Sequence, residues 1–172
     1  MDHACERDKY LAELTTKRQV INFLFESNKI EGIKSIVASE EEAAFNFLSL
    51  EEIKIEDLCN YVNATQPGAK LRDRIGLDVQ VGNHVPIPGG YEVKRQLDFL
   101  LLEVDYLYKN NLQALSPYLV HLKYEDLHPF TDGNGRSGRL LWAWMMLRKY
   151  PTDGLARGFL HQFYYQTLEN SR

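Results

Sequence analysis

Apolar residues recur at helical spacing along most of the chain, beginning near the N-terminus. Tyr10, Leu14, Ile21, Leu24 and Phe25 fall on one face of a first predicted helix. The same periodicity predicts later helices at about 40–49, 51–63, 93–107, 117–128, 135–150 and 155–168. This pattern favours a largely helical fold.

Local signals place some of the helix ends. Ser116 followed by Pro117 is an N-cap and first-turn pair, so a helix should begin there. Pro129 should end that helix at about His128, because the residue before a proline is pushed out of the α region. Pro151 should end the next helix in the same way.

The segment 75–88 departs from helical periodicity. Leu77, Val79 and Val81 alternate with polar residues before a Gly-Asn pair and two prolines, a pattern typical of a short β-hairpin. The sequence therefore predicts one all-α domain over residues 1–172, with a small hairpin or flap at about 75–88.

The composition and charge of the chain argue against several classes of function. A formal net charge of −4 and a pI near 5.7 argue against a nucleic-acid-binding protein, which needs a basic face. The longest apolar run, 140–147, is too short to cross a membrane, and no secretory signal pattern is present. Cys5 and Cys59 have no metal or disulfide spacing. We expect a cytoplasmic protein without a nucleic-acid or membrane partner.

The segment 128–139, HPFTDGNGRSGR, combines several features suited to phosphate chemistry. Gly133, Asn134 and Gly135 can turn successive backbone N–H groups inward as an anion-binding nest. This nest leads directly into a predicted helix, whose N-terminus attracts anions through its N–H groups and its dipole. We therefore expect an active-site loop that binds phosphate groups.

The side chains around this loop suit the same chemistry. Arg136 and Arg139 lie on one face of the first helical turns, where each guanidinium can bind a phosphate. Asp132 offers a carboxylate for Mg²⁺. His128 lies across the turn, and a histidine can accept a proton from an attacking hydroxyl near neutral pH.

Other glycine-rich motifs fit less well. The spacing G-x-G-x-x-G also occurs here, at Gly133, Gly135 and Gly138. A helix rather than a buried strand precedes it, which excludes the dinucleotide-binding reading. The Walker ending G-K-[ST] is missing, and the remaining ligands of an EF-hand are absent as well.

The segment HPFTDGNGRSGR resembles the Fic-family motif H-P-F-x-[DE]-G-N-[GK]-R-x-x-R at every defined position. The surrounding helices and the segment 75–88 are also similar to the family core, over most of residues 20–168. The resemblance implies a Fic-fold helical bundle with a small β-hairpin flap near the active site. It further implies transfer of AMP from ATP, with Mg²⁺, to a Tyr, Thr or Ser hydroxyl of a target protein.

The resemblance also implies a role for each motif residue. His128 would deprotonate the target hydroxyl, and Asp132 would hold Mg²⁺. The nest from Gly133 through Asn134 to Gly135 would cradle the α- and β-phosphates, with Arg136 on the β-phosphate and Arg139 on the γ-phosphate. Phe130 would be a packing anchor. The intact second half of the motif differs from the Doc-type variant, which transfers phosphate.

An upstream segment resembles the family's inhibitory motif S-x-x-x-E-G. Ser27 and Glu31 are four residues apart, on one face of a helical turn that Gly32 would end. Within an inhibitory segment at about 20–33, Glu31 would pair bidentately with Arg139 and occupy the position of the γ-phosphate. The resemblance therefore implies an enzyme that is autoinhibited in cis.

Several alternatives stay open at this point. The same site could remove AMP from a modified target, with Glu31 positioning water, or the chain could be a nucleotide-binding regulatory module without catalysis. The flap could bind an extended target segment by strand addition. Tyr164 or Tyr165 could lie beside the nucleotide base, whereas His121 fits a packed helix residue. The target, the nucleotide preference and the oligomeric state, including a homo-oligomer, are not decided by the sequence.

Overall fold

The computed structural model describes residues 3–155, and this part of the chain is built from helices joined by loops. The helices are α1 His3–Ile30, α2 Ala38–Ser49, α3 Ile55–Thr65, α4 Tyr91–Asn110, α5 Pro117–Leu127 and α6 Asn134–Lys149. The predicted all-α class is confirmed for this part. None of these helices is long and apolar enough to cross a membrane. The predicted last helix, beyond Leu155, lies outside the described residues, as do Tyr164 and Tyr165.

Helix α6 lies at the centre of the core. Its residues from Leu140 to Met146 are all buried, so the helix is covered on every side. It packs most extensively against α5 and also contacts α1, α2 and α3. Gly138 lets α5 approach closely, because a Cβ at this position would lie 2.8 Å from both Tyr124 and Glu125. The central helix therefore carries the active-site loop at its N-terminus on a rigid support.

The helix ends follow the local signals. Ser116 is the N-cap of α5, and its hydroxyl accepts a hydrogen bond from the Leu119 N–H, as the Ser-Pro pair predicts. Helix α3 begins at Ile55, later than the predicted start at 51. The Asp57 carboxylate accepts a hydrogen bond from the Lys54 N–H and fixes this later start.

The apolar face predicted for α1 is right at Leu24, which is buried, and wrong at Phe25, which is exposed. Tyr10 and Leu14 lie outside the residues whose side chains the structure describes. Ile21 is half-buried and Phe25 is 39% exposed, whereas the buried residues of the helix include two polar ones. The buried set is Val20, Phe23, Leu24, Ser27 and Asn28. Ser27 and Asn28 are polar, so the pattern of apolar residues leaves them out of the predicted face and includes the exposed Phe25 instead.

The predicted β-hairpin at 75–88 is not formed as a pair of strands. A single antiparallel bridge joins Val81 and His84 around a tight turn. The Arg72 guanidinium donates hydrogen bonds to the carbonyls of Leu77 and Ile87, on the two sides of this loop. Because a side chain uses carbonyls that a strand ladder would need, the segment is held as a loop.

Candidate active site

His128 follows the last residue of α5 and adopts a left-handed backbone conformation, with φ 49° and ψ 64°. Its backbone N–H donates to the Tyr124 carbonyl, so it closes the helix as a C-cap. Its ring Nδ1 lies 3.3 Å from the Glu125 carbonyl oxygen. Since a carbonyl only accepts, Nδ1 donates, and Nε2 carries the lone pair that can take a proton.

Arg72 fixes the loop that follows His128. Its fully buried guanidinium donates to the carbonyls of Leu127 and His128, at the negative end of the α5 dipole. The Arg72 N–H donates to the Pro129 carbonyl, beside a bridge between Leu71 and Phe130. Burial lowers the pKa of Arg72. The sequence reasoning missed this residue, because its partners are distant in sequence.

Asn134 and Phe130 hold the turn of the loop. The Asn134 carboxamide accepts from the Phe130 N–H and donates to the Phe130 carbonyl, both at 2.8 Å. Phe130 is 1% exposed, in agreement with its predicted packing role. Because both functions of this amide bond to backbone, Asn134 offers an anion its backbone N–H rather than its side chain.

The N-terminus of α6 is open to an anion. Gly133 is the N-cap, with φ 77°, and no side chain caps the helix. The first intrahelical bond runs from the Ser137 N–H to the Gly133 carbonyl. The N–H groups of Asn134, Gly135 and Arg136 precede that bond and form the positive end of the helix dipole.

Arg139 lies on the α1 side of this site and is completely buried. Its Nε donates to the Ser27 hydroxyl, and its Nη2 donates to the Ser27 carbonyl and to Glu31 Oε1 at 2.6 Å. The contact with Glu31 is therefore made through one oxygen, and the predicted bidentate pair is not formed. Ser27 accepts from Nε and shares Nη2 with Glu31, so two residues of α1 and its end hold one edge of the guanidinium. Gly32, with φ 72°, directs the chain away after α1 ends.

The Glu31 carboxylate lies over the first turn of α6. A Cβ built at Gly135 would lie 2.5 Å from Glu31 Oε1 and 2.8 Å from Arg139 Nη1. Only a glycine leaves room for this approach. An anionic oxygen of the chain itself therefore stands beside the helix N-terminus, where a phosphate oxygen would bind.

Asp132 and Arg136 lie on the α3 side of the site. Asp132 Oδ1 accepts from the Gly133 N–H at 2.6 Å, and its Oδ2 accepts from Gln66 Nε2 at 2.7 Å. Arg136 Nη2 donates to Gln66 Oε1 at 2.7 Å. The sequence reasoning missed Gln66; its only local signal is that it precedes Pro67-Gly68 at a helix end.

A buried polar pair lies behind the site, on α5. His121 is 1% exposed, and its Nε2 lies 3.9 Å from Glu125 Oε1. Burial, together with the nearby charge of Arg139, lowers the pKa of His121 to about 3. His121 is thus a neutral packed residue at physiological pH, in agreement with the sequence prediction.

An open helix N-terminus with two arginines, a carboxylate and a histidine beside it has the composition of a nucleotide-phosphate site in a helical protein. A family model described as the Fic/DOC family matches residues 49–146, which is more than half of the chain. The chain therefore belongs to the Fic/DOC family.

Two relatives that match this chain are named as protein adenylyltransferases. The protein adenylyltransferase fic-1 of Caenorhabditis elegans is 30% identical over 144 residues, which cover 73% of this chain and 27% of that protein. The protein adenylyltransferase Fic of Drosophila willistoni is 41% identical over 78 residues, 42% of this chain and 15% of that protein. The chain thus spans little more than a quarter of the length of the Caenorhabditis elegans protein and less of the Drosophila willistoni protein.

Proposed function

We propose that this chain is a protein adenylyltransferase that moves AMP from ATP to a hydroxyl side chain of a target protein, restrained by Glu31. The observation that carries the proposal is the open N-terminus of α6, with His128, Asp132 and the two arginines arranged around it. The names of the relatives support the same activity.

In the proposed reaction His128 takes the proton of a Tyr, Thr or Ser hydroxyl of the target. The hydroxyl oxygen then forms a bond to the α-phosphorus of ATP, and the bond to pyrophosphate breaks. The backbone N–H groups of Gly135 and Arg136 stabilise the negative charge that shifts between the phosphates. The Arg72 contacts to Leu127 and His128 keep the base in place.

Asp132 fits the binding of Mg²⁺. Its carboxylate is exposed, and Mg²⁺ is commonly held by one or two carboxylates together with substrate phosphates and water. Both carboxylate oxygens already accept one hydrogen bond each and retain further lone pairs. When bound, Mg²⁺ would neutralise charge on the phosphates and on the leaving pyrophosphate.

The proposed restraint acts through Arg139. Because this guanidinium is bonded to Ser27 and Glu31, it is not available to the γ-phosphate. The Glu31 carboxylate beside Gly135 would also repel the phosphates. ATP that binds in a shifted position loses in-line geometry, and a displacement of about 1 Å can cost about a hundredfold in rate.

The test compares AMP transfer by the wild-type chain and by Glu31→Gly, using α-labelled ATP, Mg²⁺ and a cell lysate as the source of targets. We expect about a ten- to hundredfold increase in labelling for Glu31→Gly. Mass spectrometry of the lysate would identify the labelled proteins. Adding His128→Ala to Glu31→Gly should abolish the label, and persistent labelling by this double variant would refute the mechanism.

Removal of AMP from a modified target is a second candidate, favoured by the position of Glu31. Its side chain is about one-third exposed at the site, so the carboxylate can contact and orient water. The two functions separate on a target modified in advance. Release of AMP that depends on Glu31 would support removal, and no release would leave transfer as the activity.

The proposal extends to target binding and location. The loop at 75–88, anchored by Arg72, would bind an extended target segment through its backbone. Binding of this kind tolerates many sequences, so the loop does not specify one target.

A cytoplasmic location is also proposed, supported by the lack of disulfide spacing between Cys5 and Cys59.

A further inference from the structure

The end of α3 lies directly against the active-site loop. Gln66 caps this helix, and its N–H donates to the Val62 carbonyl at 2.7 Å. A Cβ built at Gly133 would lie 3.4 Å from the Gln66 Cβ, so the two backbones are close together. The position of the Gln66 side chain is therefore set by a rigid helix end rather than by a loop.

The Gln66 carboxamide has one defined orientation. Its Nε2 donates to Asp132 Oδ2, and its Oε1 accepts from Arg136 Nη2, both at 2.7 Å. A flipped amide would direct N–H groups at a guanidinium and a carbonyl oxygen at a carboxylate, and both contacts would be repulsive. The two charged partners therefore fix the amide between them.

This neutral amide separates two groups that would otherwise attract each other. Asp132 lies two residues before the start of α6 and Arg136 lies in its first turn, so two opposite charges stand at the same helix end. Within the part of the chain that the structure describes, no ion pair joins Asp132 to Arg136, and each of them bonds to Gln66 instead. One hydrogen bond to Gln66 leaves further lone pairs on Asp132 and four N–H groups on Arg136.

We propose that Gln66 is a positioning residue that keeps the Asp132 carboxylate available for a divalent cation and the Arg136 guanidinium available for a phosphate. The assignment rests on the proposed function and deepens it. It explains how an acid and a base can both stand beside the N-terminus of α6 without pairing with each other.

The test uses the Glu31→Gly chain and two probes, ADP in EDTA by calorimetry and Mn²⁺ alone by electron paramagnetic resonance. In Gln66→Ala, Asp132 and Arg136 can pair, so both probes should bind about tenfold more weakly. In the isosteric Gln66→Glu, a carboxylate pairs with Arg136 and adds a second acidic group beside Asp132. ADP should then bind about tenfold more weakly and Mn²⁺ several-fold more tightly.

The opposite directions in Gln66→Glu distinguish positioning from a purely structural role. If Gln66 served only to stabilise the fold, ADP and Mn²⁺ binding would weaken together in both variants, and this result would overturn the proposal. Binding of both probes within twofold of the parent would overturn it as well. Gln96→Ala removes an exposed amide on α4 that donates to the Glu92 carboxylate, and it should change neither probe.

The transfer assay on the same proteins separates this proposal from the proposed function. The predicted binding changes, in a parent that binds ADP but transfers no AMP to any lysate protein, would reject the transferase and retain the assignment of Gln66. Normal ADP and Mn²⁺ binding in the variants, in a parent that transfers AMP, would reject the assignment of Gln66 alone.

Discussion

Arg136 and Arg139 lie one helical turn apart at the start of α6, yet two different regions of the molecule hold them. On the α1 side, Arg139 is fully buried and donates to Ser27 and to the carboxylate of Glu31. On the α3 side, Arg136 donates to the neutral amide of Gln66. One arginine is thus neutralised by the chain itself, while the other keeps its charge.

The two partners differ in what they leave available to a ligand at the start of α6. A carboxylate satisfies a guanidinium by cancelling its charge, so it competes with any phosphate for the same group. An amide satisfies one N–H and leaves the charge to act on a ligand. In the proposed mechanism, the α3 side would therefore hold the site ready for a ligand, and the α1 side would restrain its use.

The largest expected effect is on stability, and it differs between the two arginines. Arg139→Ala should lower the free energy of unfolding by about 3 kcal/mol, because a buried charge with three hydrogen bonds is lost. Arg136→Ala should cost about half as much, since one bond to Gln66 is lost. Urea denaturation of both variants measures the difference. Equal losses would show that the two regions hold their arginines equally firmly.

The next effect appears when the pH is lowered. The pKa of His121 is about 3 in the folded protein, because of burial and the charge of Arg139, so below pH 6.5 the unfolded chain binds a proton that the folded protein does not. Stability should therefore fall with falling pH, by about 2 kcal/mol between pH 6.5 and 5 from this group. His121→Gln should remove that part of the pH dependence in urea titrations. If the free energy of unfolding depended on pH in the same way in His121→Gln and in the wild type, the low pKa of His121 would be contradicted.

The smallest expected effect is on AMP transfer, in a variant that gives Arg139 a neutral amide partner like that of Arg136. In Glu31→Gln the side-chain oxygen can still accept from Arg139, but the negative charge is gone. AMP transfer should rise about fivefold over wild type, corresponding to about 1 kcal/mol, and remain below that of Glu31→Gly. Labelling with α-labelled ATP compares the three proteins. Equal rates for the wild type and Glu31→Gln would show that the hydrogen bond alone, without the charge, restrains Arg139.

Local sequence signals predicted much of the helical fold. The Ser116-Pro117 pair placed the start of α5, and the helix predicted at about 135–150 is present as α6. The predicted hairpin failed because Arg72, which precedes the loop, bonds to carbonyls on both sides of it. A contact of this kind leaves no alternation or spacing in the sequence, so only the folded chain reveals it.

The candidate site likewise has a part that the sequence predicted and a part that only the structure revealed. The motif residues from His128 to Arg139 are continuous, and their grouping follows directly from the sequence. Glu31 was connected to Arg139 through a family resemblance, but its single-oxygen contact and the bonds from Arg139 to Ser27 required coordinates. Gln66 lies 66 residues from Asp132 and 70 from Arg136, and no periodicity connects it to them. Long-range polar contacts were the part that sequence patterns could not provide.

The backbone of His128 carries a consequence beyond its place in the site. A residue that ends a helix with positive φ is usually glycine, since a side chain there costs about 1 kcal/mol or more. At this position, then, selection for stability and selection for the proposed chemistry would oppose each other: the conformation favours glycine, and the proposed proton transfer needs an imidazole. Relatives that had lost the proposed catalysis would be expected to gain stability by exchanging this histidine for glycine.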